Sequence, residues 1–394
     1  MQISEIRDKV SQGLFDFAWR QWAQVGVSAT VEGADRWAVD PEALILFTIG
    51  IGRRDPRLFD EMLDWMAFNH ELLSTQRLRN LARRFPLPSA LVAAVTEWTR
   101  QTAPASLIVS DQGGTVQGSE PVFSPDVLAF VSQPDPVFAE HGFIRPPAAR
   151  TGKSHEPDPA LPVNLSFRLR RLFGPGGRSE TMRVLLTCLD GPLDTARIAD
   201  EAGFAKRNIS DVLASLTNSG VIKAAWAGNE RHFTAYRERW ALLLDLAGPA
   251  DLPSFVSWVH LLPAALEIVI WLDEKADSAE SEYLIASQAR RLINRLTRDL
   301  EAAGIDLPRR RPAHGAAYLP YSPRPAASFS PGWELPLSAG TECSARTASR
   351  SVTTAAVGPA FESRSGRFSC LDRPDVHFSR GPFGKPATRS GICA

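Results

Sequence analysis

The sequence predicts a mainly α fold: a helical N-terminal domain, a pair of short helices followed by one small β-hairpin, further C-terminal helices, and a tail without regular structure. Three observations carry this. Apolar residues recur at helical spacing over most of residues 1–101 and 164–308. One stretch, Asp194 to Leu216 (DTARIADEAGFAKRNISDVLASL), holds two short amphipathic patterns that meet at Gly203. From Arg309 onward no period of either kind persists.

Residues 1–101 read as the first domain. Ile3 to Val25 places Ile6, Val10, Leu14, Phe17 and Trp22 at near-helical spacing. Asp40-Pro41-Glu42 opens a second helix, with Asp as cap, Pro at the first position and an acid in the first turn. Asp55-Pro56 repeats that signal for a helix to about Asn69. Ser74 begins another, TQRLRNLARRF, with Leu78 and Leu81 inward and Arg77, Arg79, Arg83 and Arg84 on the exposed face. Such a run is either a solvated helix face or a second set of phosphate contacts. Ser89 to Arg100 closes the domain, and Trp19, Trp22, Trp37, Trp65 and Trp98 fall on apolar faces as core filling.

Residues 102–163 read as an irregular linker region, rich in Pro, Gly, Ser and Asp. Its Gly152-Lys153-Ser154 is not a nucleotide loop, because the glycine that the motif requires five residues upstream is Pro147. Residues 164–246 form the next domain. Asn164 to Phe173 (NLSFRLRRLF) approaches with Arg168, Arg170 and Arg171, either as a basic surface strand or as a segment lying along a phosphate backbone. Ser179 can cap a helix with Met182, Leu185, Leu186 and Leu189 inward.

The central pair follows. Ile198, Ala199 and Ala202 line the first helix, and Gly203 stops it where the backbone takes positive φ. Ile209, Val212, Leu213 and Leu216 line the second, from about Ala205. Gly220-Val221-Ile222 starts a strand, Gly228-Asn229 turns it, and Arg231 to Ala235 returns. Residues 247–308 hold two more helices, one from Phe255 to Leu272 interrupted by Pro263, the other from Ala279 to Ala303. The second carries a stripe of Ile285, Ala289, Leu292, Ile293, Leu296 and Leu300, which either packs on its own domain or pairs with a second copy. Residues 309–394, dominated by Pro, Ser, Ala, Gly and Arg, read as disordered or as an out-of-frame translation of GC-rich DNA.

Ala199, Gly203 and Ile209, at offsets 0, 4 and 10, with Ile198, Phe204 and Val212 in the flanking apolar slots and a hairpin after them, carry a resemblance. Over about residues 179–236 the chain resembles the bacterial winged helix-turn-helix transcriptional regulators, of the MarR/ArsR-like kind. The resemblance implies a cytoplasmic, sequence-specific DNA-binding regulator whose second helix enters the major groove. It implies base or phosphate contacts from Lys206, Arg207, Asn208, Ser210 and Asp211, and hairpin contacts from Lys223, Arg231 and His232. Arg168, Arg170 and Arg171 join them as backbone contacts, and double-stranded DNA is the partner. It also favours a homodimer through 279–303. Operator, effector ligand and sign of regulation stay open. The alternative is a protein–protein module on the same fold, such as an antitoxin-like or phage-defence component.

Charge agrees with a local basic site. The whole chain is neutral, with 44 Lys/Arg and 44 Asp/Glu, but Asn164 to Trp240 holds 12 Lys/Arg against 8 Asp/Glu. The 4 cysteines do not form a disulfide scaffold: Cys188 reads as a buried thiol, and Cys343, Cys370 and Cys393 are too far apart for a zinc site. The N-terminus lacks the apolar core of a signal peptide, and no apolar run is free enough of polar groups to span a membrane. The 7 histidines are scattered outside any hydrolase or zinc motif, so neither enzyme chemistry nor a cofactor is expected.

Overall fold

The computed structural model describes residues 3–29, 35–103, 120–124 and 133–305. The expectations for the tail from Arg309 and for most of residues 104–132 lie outside them. The described chain is mainly helical, with a small three-stranded antiparallel sheet.

The N-terminal helices are α1 (Ile3–Gln24), α2 (Pro41–Ile51), α3 (Pro56–Phe68), α4 (Thr75–Ala82) and α5 (Ser89–Thr102). Local chemistry sets their starts. The Asp40 carboxylate accepts from Ala43 N, Asp55 from Leu58 N, and the Ser74 hydroxyl from Arg77 N, each satisfying an orphan amide of a first turn. Two-residue strands β1 (Glu120–Pro121) and β2 (Phe143–Ile144) pair in parallel around α6 (Pro136–Glu140).

Next come α7 (Leu165–Phe173), α8 (Gly177–Thr187), β3 (Leu193–Asp194), α9 (Thr195–Ala202), α10 (Lys206–Asn218), β4 (Ile222–Ala227), β5 (Glu230–Ala235) and α11 (Arg237–Leu243). The sheet order is β3-β5-β4, and its register pairs Ile222 with Ala235, Ala224 with Phe233 and Trp226 with Arg231. Two long helices finish the described chain, α12 (Trp258–Ala276) and α13 (Glu282–Ala302).

Two apolar cores organise these elements. The larger gathers α1–α5 and α6 with α12 and α13, so residues after 258 return to the N-terminal helices. The boundary read at 247 therefore does not separate an independent pair of flanking helices. Gly50 eases the return: a Cβ there would meet the Leu266 side chain of α12, which would have to shift to let α2 and α12 approach this closely. Trp258 locks the same junction, donating from Nε1 to the Ala38 carbonyl at 2.8 Å. The stripe on α13 is covered by the chain itself. Leu292, Ile293, Leu296 and Leu300 join the large core, and Ala286 and Ala289 pack against Trp271. Of the two fates the sequence allowed this stripe, packing on its own chain is the one seen.

The smaller core holds α8–α11 and the sheet. Helix α7 is the wall between the cores: Leu165 and Leu169 face the smaller one, while Phe167 meets Trp65 in the larger at 5.8 Å between ring centroids. This corrects the basic-strand reading of NLSFRLRRLF.

Six charged side chains, Asp40, Glu42, Arg77, Arg170, Glu180 and Arg183, lie buried together between the cores. Arg77 forks onto Asp40 with contacts of 2.5 and 2.6 Å and reaches Glu42 at 2.8 Å. Arg170 forks onto Glu42 at 2.7 and 2.6 Å and onto Glu180 at 2.7 Å. Arg183 closes the set on Glu180 at 2.8 Å. Three acids face three guanidinium groups, so the cluster is neutral. Burial alone would raise the Asp40 and Glu180 carboxyls, but the adjacent arginines, Arg77 above all, outweigh it and hold both below the ordinary range.

Removing one member strands the others' charge, which costs roughly 3–5 kcal/mol. Arg77→Met is therefore expected to lose about that much stability in urea unfolding, whereas Arg79→Met, two residues along α4 and exposed, is expected to stay within about 0.5 kcal/mol of wild type. Equal losses in the two variants would contradict the network's role.

Candidate nucleic-acid interface

Helix α9 starts on Asp194, whose carboxylate accepts from Ala196 N and Arg197 N at 2.6 and 2.9 Å. It stops at Gly203, whose φ of 70° is left-handed, as expected from the sequence. The turn does not float. A Cβ on Gly203 would lie 2.9 Å from Leu81 Cδ2, so α4 presses directly against it. The last carbonyls of α9 are taken by the same helix: Arg77 Nε donates to Ala202 O at 2.8 Å, and Asn80 Nδ2 to Gly203 O at 3.0 Å. Arginine at a helix C-terminus also faces the negative end of the helix dipole.

Helix α10 leaves this turn with Ile209, Leu213 and Leu216 buried in the smaller core. Its opposite side carries Lys206, Arg207, Asn208, Ser210 and Asp211, all exposed. None of the five side chains is held by another described residue. They form one polar face near the helix start, free to meet a ligand with hydrogen-bonding edges or negative charge.

The hairpin adds a second group. Alternation along β4 and β5 puts Lys223, Ala225 and His232 on the outer side of the sheet. Lys223 Nζ lies 4.7 Å from the Tyr236 ring centroid, and His232 Nδ1 lies 3.3 Å from the Pro192 carbonyl. Arg231 shares the inner side with Phe233, its guanidinium 5.6 Å from that ring and 5.9 Å from the Trp226 ring. Trp226 is the residue that sequence reasoning missed. It is 71% exposed at the hairpin end, and the turn at Gly228 that pairs it with Arg231 was the signal that could have found it.

The arginines before α8 do not join this face. Arg170 is fully buried in the ion network, so its guanidinium cannot reach a phosphate. Arg168 donates to the Leu244 carbonyl, and Arg171 pairs with Glu156 at 2.6 Å. The expected Arg77–Arg84 surface is corrected in part, since Arg79 and Arg83 are exposed as expected but the other two are not. Arg77 is buried, and Arg84 pairs with Asp200 at 2.7 Å. No group of three or more metal-ligating side chains occurs among the described residues. Nor is any described helix long and apolar enough to cross a membrane.

One titratable cluster sits behind the site. His260 of α12 bridges Asp200 of α9 through Nε2 and Asp299 of α13 through Nδ1, both at 2.8 Å. The bond to Asp200 raises the imidazole above its ordinary value, against burial and with help from Asp299. The same bond, aided by Arg84, lowers Asp200 to about 2. Burial raises the neighbouring Glu201, against the Ser257 hydroxyl that bonds it.

A raised histidine contributes stability that is complete below about pH 6.5 and is lost as pH rises through its folded value. The difference in melting temperature between wild type and His260→Gln is expected to be largest near about pH 6 and to shrink toward about pH 8.5. A gap that holds constant or widens would contradict this. Comparison of the chain with known protein families, with curated proteins and with solved structures finds no match.

Proposed function

We propose that this protein is a sequence-specific DNA-binding regulator of the bacterial winged helix-turn-helix type, with α10 as the reading helix and the β4–β5 hairpin as the wing. The observation that carries this reading is the face formed by Lys206, Arg207, Asn208, Ser210 and Asp211. These groups project together from a helix whose other side is anchored in a core, and no described side chain occupies them.

The chemistry suits base edges. Lys206 and Arg207 at the helix start can donate to guanine O6 and N7, Asn208 can pair with adenine, and Asp211 can accept from cytosine N4. Arg231 beside Trp226, with Lys223 on the other side of the sheet, supplies a cation–aromatic tip for backbone or minor-groove contact. Arg168, Arg170 and Arg171 are not proposed as backbone contacts. Buried Arg170 instead helps to hold the reading helix in place.

Fluorescence anisotropy of the full chain, on the duplex upstream of its own gene and on a scrambled duplex, tests the proposal across salt concentrations. Preference for the native duplex, with affinity falling steeply as salt rises, is expected. Lys206→Ala/Arg207→Ala is expected to cost about 1–3 kcal/mol per lost base contact, or roughly tenfold or more in affinity. Absence of binding at low salt would overturn the proposal in favour of protein–protein use of the same segment.

A further inference from the structure

Helix α4 has two working faces. Arg77, Asn80, Leu81 and Arg84, spaced as one helical stripe, hold the α9 carbonyls, the Gly203 turn and Asp200. The opposite stripe, Thr75, Leu78, Arg79, Ala82 and Arg83, lines a cleft against α5. The cleft consists of two hollows of about 410 and 750 Å³ that share Arg79, Thr96 and Glu97. Its floor is apolar, built by Ile45, Met66, Leu78, Phe85 and Val92, all buried.

Charge in the cleft is one-sided where it is free. Arg79 and Arg83 are exposed, and no described acid pairs with either. The acids nearby are largely spent. Glu97 is held by Arg100 at 2.6 Å, and Glu42 by Arg77 and Arg170 inside the buried network. Glu140 alone keeps an open carboxylate at the rim, against two open guanidinium groups.

We infer that this cleft binds a small amphipathic carboxylate, its apolar body on the α4–α5 floor and its carboxylate on Arg79 and Arg83. Two forks at the rim of an apolar hollow match a planar anion joined to a hydrocarbon, and the volume is that of a small-molecule site. The site's existence does not depend on DNA binding. Its consequence does: α4 carries the site on one face and holds the Gly203 turn on the other, so a ligand seated there bears on the turn from which the proposed reading helix departs.

Titration calorimetry of the full chain with decanoate, and with decanol as the uncharged control, tests the site. Saturable binding of decanoate in preference to decanol is expected, weakened about tenfold or more in Arg79→Ala/Arg83→Ala and weakened less in Arg79→Lys/Arg83→Lys, which keeps the charge but loses the fork. Both arginines are exposed, so these variants are expected to fold, which their melting curves check. No decanoate binding, or equal binding in wild type and the alanine variant, would overturn the site. Hydrogen exchange then reads the coupling: decanoate is expected to slow the Gly203 and Phe204 amides in wild type only. Unchanged exchange in a protein that binds decanoate would overturn the coupling. Loss of DNA binding alone, with both of these results intact, would refute the DNA reading and leave the site standing.

Discussion

The buried exchange between three acids and three arginines is the constraint on which the other features rest. Taking six charges out of water is costly, and their attraction repays that cost only if each oxygen and each N–H finds a partner. Here the partners come from both sides of the boundary between the cores. Asp40, Glu42 and Arg77 belong to the N-terminal helices, and Arg170, Glu180 and Arg183 to α7 and α8. Neither set is neutral or satisfied without the other. The Leu72, Glu201 and Ala202 carbonyls complete the arginine forks, so backbone positions are tied in as well. A geometry this demanding works as a register: α9 is held against α4 in one placement, and α10 points accordingly.

Much of the fold was legible because its signals are local. Asp40-Pro41, Asp55-Pro56, Ser74 and Asp194 act as caps through amides two or three residues ahead of them, and Gly203 takes the left-handed turn that its position between two apolar patterns required. The exposed polar face of α10 was legible for the same reason, since helical spacing alone separates Ile209, Leu213 and Leu216 from Lys206, Arg207 and Ser210.

The rest was hidden by distance along the chain. Arg77 bonds the Ala202 carbonyl across 125 residues, and Arg170 bonds Glu42 across 128. A local pattern cannot distinguish such a cation from a solvated one. The segment NLSFRLRRLF misled differently. Its alternating Leu165, Phe167 and Leu169 mimic a strand, but a helix lying between two cores buries residues on both sides and so loses the one-sided helical period. The α13 stripe had two permitted fates, and only the return of α12 to the N-terminal helices decided between them. Helix α4 combines both lessons: its apolar spacing was readable, but which of its arginines face a cleft and which face another helix is a tertiary fact.

The central claim is that the ion network welds the N-terminal helices and the α7–α11 segment into one cooperative body. Differential scanning calorimetry of the full chain near neutral pH tests it most directly. One transition, with calorimetric and van't Hoff enthalpies in agreement, is the predicted result. Two resolved transitions, one for each core, would show that the segments fold independently and would contradict the account.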